Sequence, residues 1–202
     1  DLDKDQHCLA LPHAQVKQII TPHTKSKGCC WARNRIMTEL LGDEEFFLQI
    51  DSHSRFDLHW DELVLRVWEE CKNPKAYLSH YPPGYKLDGT RSNRTYIWHQ
   101  VKELMPNGIP KYRSGVKPLE HKPVKPVRTP FMAAGCFFIK ADAIRQIPYD
   151  PYIYFEGEET AYATRLFTHG WDGYTPREPF LYHLYFNKED GRVRHFEDNR
   201  DY

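Results

Sequence analysis

The hydrophobic pattern in the first part of the chain predicts a helix followed by a buried strand. Within residues 29–41, four apolar side chains share one helical face, namely Ile36, Met37, Leu40 and Leu41. Ser26 is the predicted N-cap of this helix, and Gly42 is the residue expected to end it. The short apolar run Phe46-Phe47-Leu48-Gln49-Ile50 indicates a buried strand, which leads into the polar turn Asp51-Ser52-His53.

The same pattern then repeats once along the chain. Apolar residues recur at three- and four-residue spacing and predict an amphipathic helix before Asn73-Pro74; they are Leu63, Val64, Val67, Trp68 and Cys71. The segment Ala76-Tyr77-Leu78-Ser79-His80 is the next predicted strand. This order of helix, strand, turn, helix and strand over residues 29–80 is typical of an α/β protein with an open sheet.

Periodicity is lost between residues 81 and 130, where we expect a long proline-rich loop region. Six prolines lie between Pro106 and Pro130, which excludes a helix or a central strand there. We expect residues 105–130 to shape the side of a site that receives an extended peptide.

Order returns after this region, with small residues inside an apolar strand predicted over residues 131–139. A short helix over residues 141–147 follows, and another helix is predicted from Glu158 to His169-Gly170. We predict a single domain over residues 1–202, with a core over residues 26–186. A loose charged tail is expected over residues 187–202.

Composition narrows the class of protein. The chain has 202 residues with 28 basic and 28 acidic side chains, and the resulting zero formal charge disfavours nucleic acid as a partner. No apolar run approaches the ~20 residues that span a bilayer, and the start DLDKDQHC lacks a signal sequence. We therefore expect no membrane-spanning segment and a cytoplasmic location, with the Golgi lumen as the alternative if an anchor has been removed. Reduced thiols are expected because the five cysteines contain no CxxC pair.

Asp51 and His53 are candidate metal ligands. They follow a buried strand at its carboxyl end, where open α/β sheets place their ligands. Oxygen and imidazole donors suit a divalent ion such as manganese better than an ion that prefers thiolates. The alternative reading is an Asx-type turn at Asp51 with His53 as a surface residue.

Carboxylates at the start of the last predicted helix are the second candidate group. Glu158 and Glu159 follow an aromatic run over residues 152–155, which predicts a partly desolvated pocket that suits hydroxyl groups of a sugar. Ordinary capping by acids at a helix start is the alternative. His183 lies in an aromatic segment and is either a core residue or a ligand. Arg33 and Arg35 either bind phosphates or are solvated charges.

Three segments in this order resemble the N-acetylglucosaminyltransferase domain of glycosyltransferase family 60. They are Cys29-Cys30-Trp31-Ala32-Arg33, Phe47 to Phe56, and Phe155-Glu156-Gly157-Glu158-Glu159 with Ala163 to Asp172. The chain is also similar to the polypeptide N-acetylgalactosaminyltransferases in four motifs, which are Asp51-Ser52-His53, Ala133-Ala134-Gly135, Gly157-Glu158-Glu159 and His183. Glu159 stands where the second family has Asn. The resemblance covers about residues 26–186.

The resemblance implies a GT-A fold, an α/β architecture whose mixed central sheet is flanked by helices. It further implies UDP-GlcNAc as donor, a divalent metal of the Mn²⁺ type, and retaining transfer to a hydroxyl of a protein or peptide acceptor, either hydroxyproline or Ser/Thr. By the same resemblance, Asp51, His53 and His183 hold the metal. Arg33, Ala134, Gly135 and Glu158 bind the donor, with Glu158 and Glu159 as the catalytic carboxylates. A first strand that contacts uridine is either absent or supplied by residues 9–20.

Two other classes of function remain open from the residues alone. One is a transferase-like module that binds a nucleotide-sugar or glycan without turnover, which the unassigned first strand favours. The other is a metal-dependent phosphoester hydrolase that uses Asp51, His53 and His183. That second class normally needs more ligands than the sequence offers.

Overall fold

The computed structural model describes residues 13–93, 96–117 and 121–185. The helices are α1 (Cys29–Arg35), α2 (Trp60–Glu70), α3 (Ala141–Gln146) and α4 (Glu158–Thr168). The strands are β1 (Phe46–Ile50), β2 (Ser54–Phe56), β3 (Ala76–Ser79), β4 (Tyr96–Leu104), β5 (Pro110–Lys117), β6 (Val127–Thr129), β7 (Cys136–Lys140), β8 (Asp172–Thr175) and β9 (Leu181–His183). The predicted tail over residues 187–202 and Cys8 lie outside the described residues.

The central sheet has five strands in the order β1-β7-β3-β8-β6. Strand β7 runs antiparallel to both β1 and β3, β3 runs parallel to β8, and β6 runs antiparallel to β8. This mixed sheet confirms the predicted α/β architecture. Two small antiparallel sheets, β2-β9 and the hairpin β4-β5, lie outside it.

Apolar side chains form two buried clusters. Successive residues of β3 and of β7 belong alternately to one cluster and to the other. Tyr77 and Phe137 belong to the cluster that includes residues of α3 and α4, whereas Leu78 and Phe138 belong to the cluster that includes residues of α2. Neighbouring residues of a strand point to opposite faces of the sheet. The sheet is therefore covered by helices on both faces, as the near-continuous burial of β3 and β7 requires. No helix among the described residues is both long and apolar enough to span a membrane.

The first helix begins differently from the prediction. Its N-cap is Gly28, not Ser26, and Gly28 has a φ of 100°. A Cβ at Gly28 would lie 2.3 Å from the carbonyl oxygen of Tyr154, so only glycine fits this close approach. The predicted length is close, because α1 continues as a π-helical turn over Ile36–Leu40. Residues 9–20 were expected to supply a first strand. The structure describes residues 13–20 of this segment, and they form no strand.

Two further predictions about strands were wrong. The strand expected over residues 131–139 begins only at Cys136, because the Cys136 amide donates to the Ala133 carbonyl and closes a turn there. Residues 81–130 are also not one loop region, since they contain the hairpin β4-β5 and strand β6 of the central sheet. The prolines remain compatible with these strands because Pro110 begins β5 and the other prolines that the structure describes in this region lie outside the strands.

Contacts between aromatic rings, together with one hydrogen bond, connect the hairpin to the rest of the protein. The ring of His99 on β4 lies 4.7 Å from Tyr81 and 6.2 Å from Phe131, between ring centroids. The Tyr112 hydroxyl on β5 is hydrogen-bonded to the Thr160 hydroxyl on α4 over 2.7 Å. Neither ring nitrogen of His99 has a hydrogen-bond partner within the described ranges. Burial, with the neighbouring His80, lowers the pKa of His99 from 6.5 to about 3.

This burial predicts a loss of stability in acid. The folded protein binds the proton of His99 less tightly than the unfolded chain does, so the stabilising contribution is complete above pH 6.5 and falls as the pH falls towards about 3. From about pH 7 to about pH 4.5, wild type should lose about 2 to 3 kcal/mol more free energy of unfolding than His99→Phe. Urea unfolding of both proteins at each pH measures this difference. Equal losses in the two proteins would contradict it.

Candidate functional site

A short two-stranded sheet brings His183 to the strand-end turn that contains Asp51 and His53. Strand β2 follows this turn directly, and it pairs with β9 so that Ser54 lies opposite His183. The Leu184 amide also donates to the His53 carbonyl over 3.0 Å. One ligand atom from each of Asp51, His53 and His183 lies within 4.8 Å of the others. The structure thus brings together the three residues predicted as metal ligands.

Contacts within this triad hold the three side chains against one another. His183 Nε2 lies 3.0 Å from Asp51 Oδ2, and the rings of His53 and His183 meet edge to face at 4.3 Å between centroids. The hydrogen bond from His183 lowers the pKa of Asp51. Asp51 therefore remains ionised, which is the state required of a ligand to a cation.

The donor set of the triad fits a divalent metal. It offers one carboxylate and two imidazoles, which suit an ion such as Mn²⁺, and it contains no thiolate that would favour a soft ion. His183 Nδ1 is buried and has no hydrogen-bond partner among the described residues. Asp51, His53 and His183 would hold such an ion, which would supply positive charge beside these side chains.

The turn before β7 packs directly against Asp51. A Cβ on Gly135 would lie 2.9 Å from Asp51 Oδ2, so the absence of a side chain there leaves room for the carboxylate. Gln49 Nε2 donates to the Ala134 carbonyl over 2.6 Å, and the Ala134 amide donates to Glu159 Oε1 over 2.8 Å. The backbone of this turn is therefore fixed from both sides.

Glu158 and Arg33 form an ion pair among the residues that line the same cavity as Asp51. Arg33 Nη1 lies 3.3 Å from Glu158 Oε1, and their side chains are only 17% and 9% exposed. Burial raises the pKa of Glu158 to about 7, despite the opposing charge of Arg33. This confirms the expectation of a partly desolvated pocket at the start of α4. The carboxyl group of Glu158 can therefore carry or release a proton near neutral pH.

Glu159 is held by protein groups on both oxygens. In addition to the bond from Ala134, its Oε2 accepts a hydrogen bond from the Tyr81 hydroxyl over 2.7 Å. Burial raises the pKa of Glu159. Because these bonds join the start of α4 to the turn before β7 and to the end of β3, Glu159 positions the walls of the site.

These groups surround one cavity of about 180 Å³. Seven of the eight residues predicted for the site line it, namely Arg33, Asp51, Ala134, Gly135, Glu158, Glu159 and His183. The eighth, His53, lies beside it through its contact with His183. Arg35 is not brought into the site, since it pairs with Glu39 over 2.7 Å and lies over the ring of Trp31.

Sequence reasoning missed three residues that line the same cavity, which are Tyr81, Pro82 and Tyr185. A further lining residue, Phe155, belongs to the aromatic run that was expected beside the pocket. A signal existed for Tyr81 and Pro82, because they follow the predicted strand β3 at an end where open sheets place their ligands. Tyr185 has no comparable signal, since its place depends on the pairing of β9 with β2. Its ring lies 4.3 Å from that of His183.

Comparison with known proteins agrees with this architecture. No curated protein matches the chain. A crystal structure of GalNAc-T7 with UDP, GalNAc and Mn²⁺ is similar to it, with a TM-score of 0.56 and 18% sequence identity. The match covers 79% of this chain and 31% of that chain, so this chain spans about a third of GalNAc-T7 and shares its GT-A fold.

The family comparison covers almost the whole sequence. The family model described as Glycosyltransferase (GlcNAc) matches residues 2–201. The chain therefore belongs to the GlcNAc glycosyltransferase family.

Proposed function

We propose that this protein transfers N-acetylglucosamine from UDP-GlcNAc to a hydroxyl of a protein or peptide, with retention of configuration. The acceptor is hydroxyproline or Ser/Thr. The observation that carries the proposal is the convergence of Asp51, His53 and His183 beside the cavity lined by Arg33 and Glu158. The crystallised GalNAc-T7, with the same fold, was solved with UDP, GalNAc and Mn²⁺.

Each group of the cavity has a role in this reaction. Asp51, His53 and His183 would hold a divalent ion, which would supply positive charge to offset the negative charge that develops on UDP. Arg33 adds the positive charge of a guanidinium group to the cavity lining. Glu158 accepts hydrogen bonds from hydroxyl groups of the donor sugar, and Glu159 keeps the Ala134-Gly135 turn in place.

A separate groove suits the acceptor. It has a volume of about 350 Å³ and lies between the tip of the hairpin and the start of α4, so that Glu158 and Glu159 form part of its wall. From the hairpin side it is lined by Met105, Ile109, Pro110, Lys111 and Tyr112. Within residues 105–130, the segment first expected to face the acceptor, β6 belongs to the central sheet, so the hairpin is the part that we assign to peptide binding.

A donor screen tests the proposed function. The protein is incubated with Mn²⁺, a library of hydroxyproline and Ser/Thr peptides, and UDP-GlcNAc, UDP-GalNAc or UDP-glucose in parallel. We expect peptide labelling from UDP-GlcNAc. Binding of UDP-sugar without transfer would favour the non-catalytic module. The lack of a strand in residues 13–20 is the observation that supports this alternative. Cleavage of simple phosphoesters without a UDP-sugar would favour the hydrolase.

Loss of the distant histidine ligand should uncouple UDP binding from the metal. His183→Ala should weaken Mn²⁺-dependent UDP binding about 10- to 100-fold, because metal and pyrophosphate each favour the binding of the other. His169→Ala, at the exposed end of α4, should leave it unchanged. Calorimetric titration with UDP, with and without Mn²⁺, measures both. Unchanged affinity in His183→Ala would remove this residue from the site.

Glu158 should contribute to transfer more than to nucleotide binding. Glu158→Gln keeps the size of the side chain but loses its charge, so transfer should fall about 100-fold while UDP binds within about threefold of wild type. The control is Glu69→Gln, the same change at an exposed position of α2. Rates of transfer and UDP titrations separate the two effects. If Glu158→Gln and wild type have equal turnover, Glu158 has no role in transfer and only stabilises the start of α4.

A substitution in the hairpin groove should weaken peptide binding and leave UDP binding unchanged. The side chain of Ile109 packs against Gly157 at the start of α4, where a Cβ would lie 3.2 Å from its Cδ1. Ile109→Ser should raise the KM for peptide about tenfold through lost apolar contact and leave UDP binding intact. Val116→Ser changes an exposed apolar residue elsewhere on the hairpin and serves as control. A parallel loss of UDP affinity would show that the hairpin supports the donor site instead.

A further inference from the structure

Two adjacent cysteines open α1 immediately behind the wall of the cavity. Cys30 is completely buried, whereas Cys29 is partly exposed, and their sulfur atoms lie 3.9 Å apart. The Cys29 thiol also lies 3.4 Å from the carbonyl oxygen of Tyr154. Nothing in the proposed transfer reaction uses either thiol.

Cys29 forms a triangle with the ion pair of the cavity wall. Its sulfur lies 3.6 Å from Arg33 Nη1 and 4.0 Å from Glu158 Oε1, while those two atoms are 3.3 Å apart. A guanidinium group this close stabilises a thiolate relative to a thiol. The sulfur of Cys29 is therefore a nucleophile in contact with two residues that we assign to the donor site.

The environment of Cys29 differs from that of the other described cysteines. The hydrogen bond with the Cys30 thiol and the charge of Arg33 lower the pKa of Cys29, against the opposing effects of burial and of the Glu158 carboxylate. Burial raises the pKa of Cys71 to about 12, with a smaller contribution from Glu70, and burial also raises that of Cys136. Cys71 is partly exposed like Cys29, so the reactivity of the two cysteines can be compared within one protein.

We propose that Cys29 is a site of reversible S-thiolation by low-molecular-weight disulfides, and that the added group disrupts the donor pocket. In the reaction, the Cys29 thiolate attacks one sulfur of the disulfide. A new S–S bond forms, the old one breaks, and the second half leaves as a thiolate. A reducing thiol reverses the exchange. The modification site stands on its own geometry, whereas its effect on the donor rests on the proposed function.

The effect on the pocket follows from the lack of space around the sulfur. The sulfur touches the Cys30 thiol, the Tyr154 carbonyl oxygen, Arg33 Nη1 and Glu158 Oε1. A group attached to the sulfur needs space that these contacts occupy, and we expect it to displace the two charged side chains, Arg33 and Glu158. Separation of this ion pair removes a cation and a carboxylate from their places on the cavity wall.

Labelling kinetics test the modification site without any assay of activity. The folded protein is treated with glutathione disulfide at about pH 7.5, and adducts on each cysteine are followed by peptide mass spectrometry. Cys29 should react at least about tenfold faster than Cys71, because thiolate content outweighs the lower nucleophilicity of a more acidic thiol. A Cys29 rate no higher than that of Cys71, or oxidation that leaves Cys29 without an adduct, would overturn the proposal.

A charge variant tests the cause of the reactivity. Arg33→Met keeps the aliphatic stem but removes the cation, so it should slow the reaction of Cys29 several-fold. Arg35→Met makes the same change on an arginine that pairs with Glu39, and it should leave the rate unchanged. Equal rates in wild type and Arg33→Met would contradict activation by Arg33.

A binding measurement tests the consequence. Mn²⁺-dependent UDP affinity should fall at least about tenfold after S-thiolation and return after reduction, while Cys29→Ser should show no change on the same treatment. Unchanged UDP affinity in thiolated protein would overturn the effect on the pocket. If untreated protein binds no UDP, the proposed function fails, and the labelling kinetics still decide the modification site.

Discussion

The pairing of β2 with β9 is the constraint on which the candidate site depends. Only three residue pairs form this sheet, yet they join the strand-end turn after β1 to a strand that lies 132 residues further along the chain, measured from Asp51 to His183. Because residues of a strand alternate between its faces, a shift of one residue would turn His183 away from Asp51. The ladder is supported by the Tyr85 amide, which donates to the His183 carbonyl.

The side chains that line the cavity carry more acidic groups than basic ones. Three carboxylates line it, those of Asp51, Glu158 and Glu159, against the single guanidinium of Arg33. Burial makes each unpaired charge costly, and the raised pKa values of Glu158 and Glu159 reflect this cost. A divalent ion beside Asp51 would relieve the imbalance and would at the same time attract a pyrophosphate. The excess of acid is thus consistent with a site that binds metal and nucleotide together.

Much of the fold could be predicted because its elements are strongly patterned. The helix α2 has clear apolar periodicity, β1 and β3 are short and mostly apolar runs, and each of the three elements forms close to the predicted residues. The hairpin β4-β5 could not be found in this way. The outer half of β4 is exposed on both faces, so its sequence lacks the alternation that marks a strand with one buried side.

The site was predictable to the extent that it lies at strand ends and helix starts. Asp51 and Glu158 occupy such places, so their chemistry could be inferred from local sequence. His183 was assigned through family resemblance, because nothing local distinguishes a ligand from a core histidine. The bonds of Glu159 to Ala134 and Tyr81 could not be foreseen either, since they join three segments that are distant in sequence.

The wide separation in sequence of the three candidate metal ligands also sets when the candidate site can form during synthesis. A ribosome releases the chain from its N-terminus, so β1, the turn at Asp51 and α2 emerge long before residue 183. Until β9 has emerged, Asp51 and His53 have no third partner. The proposed triad is therefore complete only once the chain through β9 is free to fold and to pair with β2.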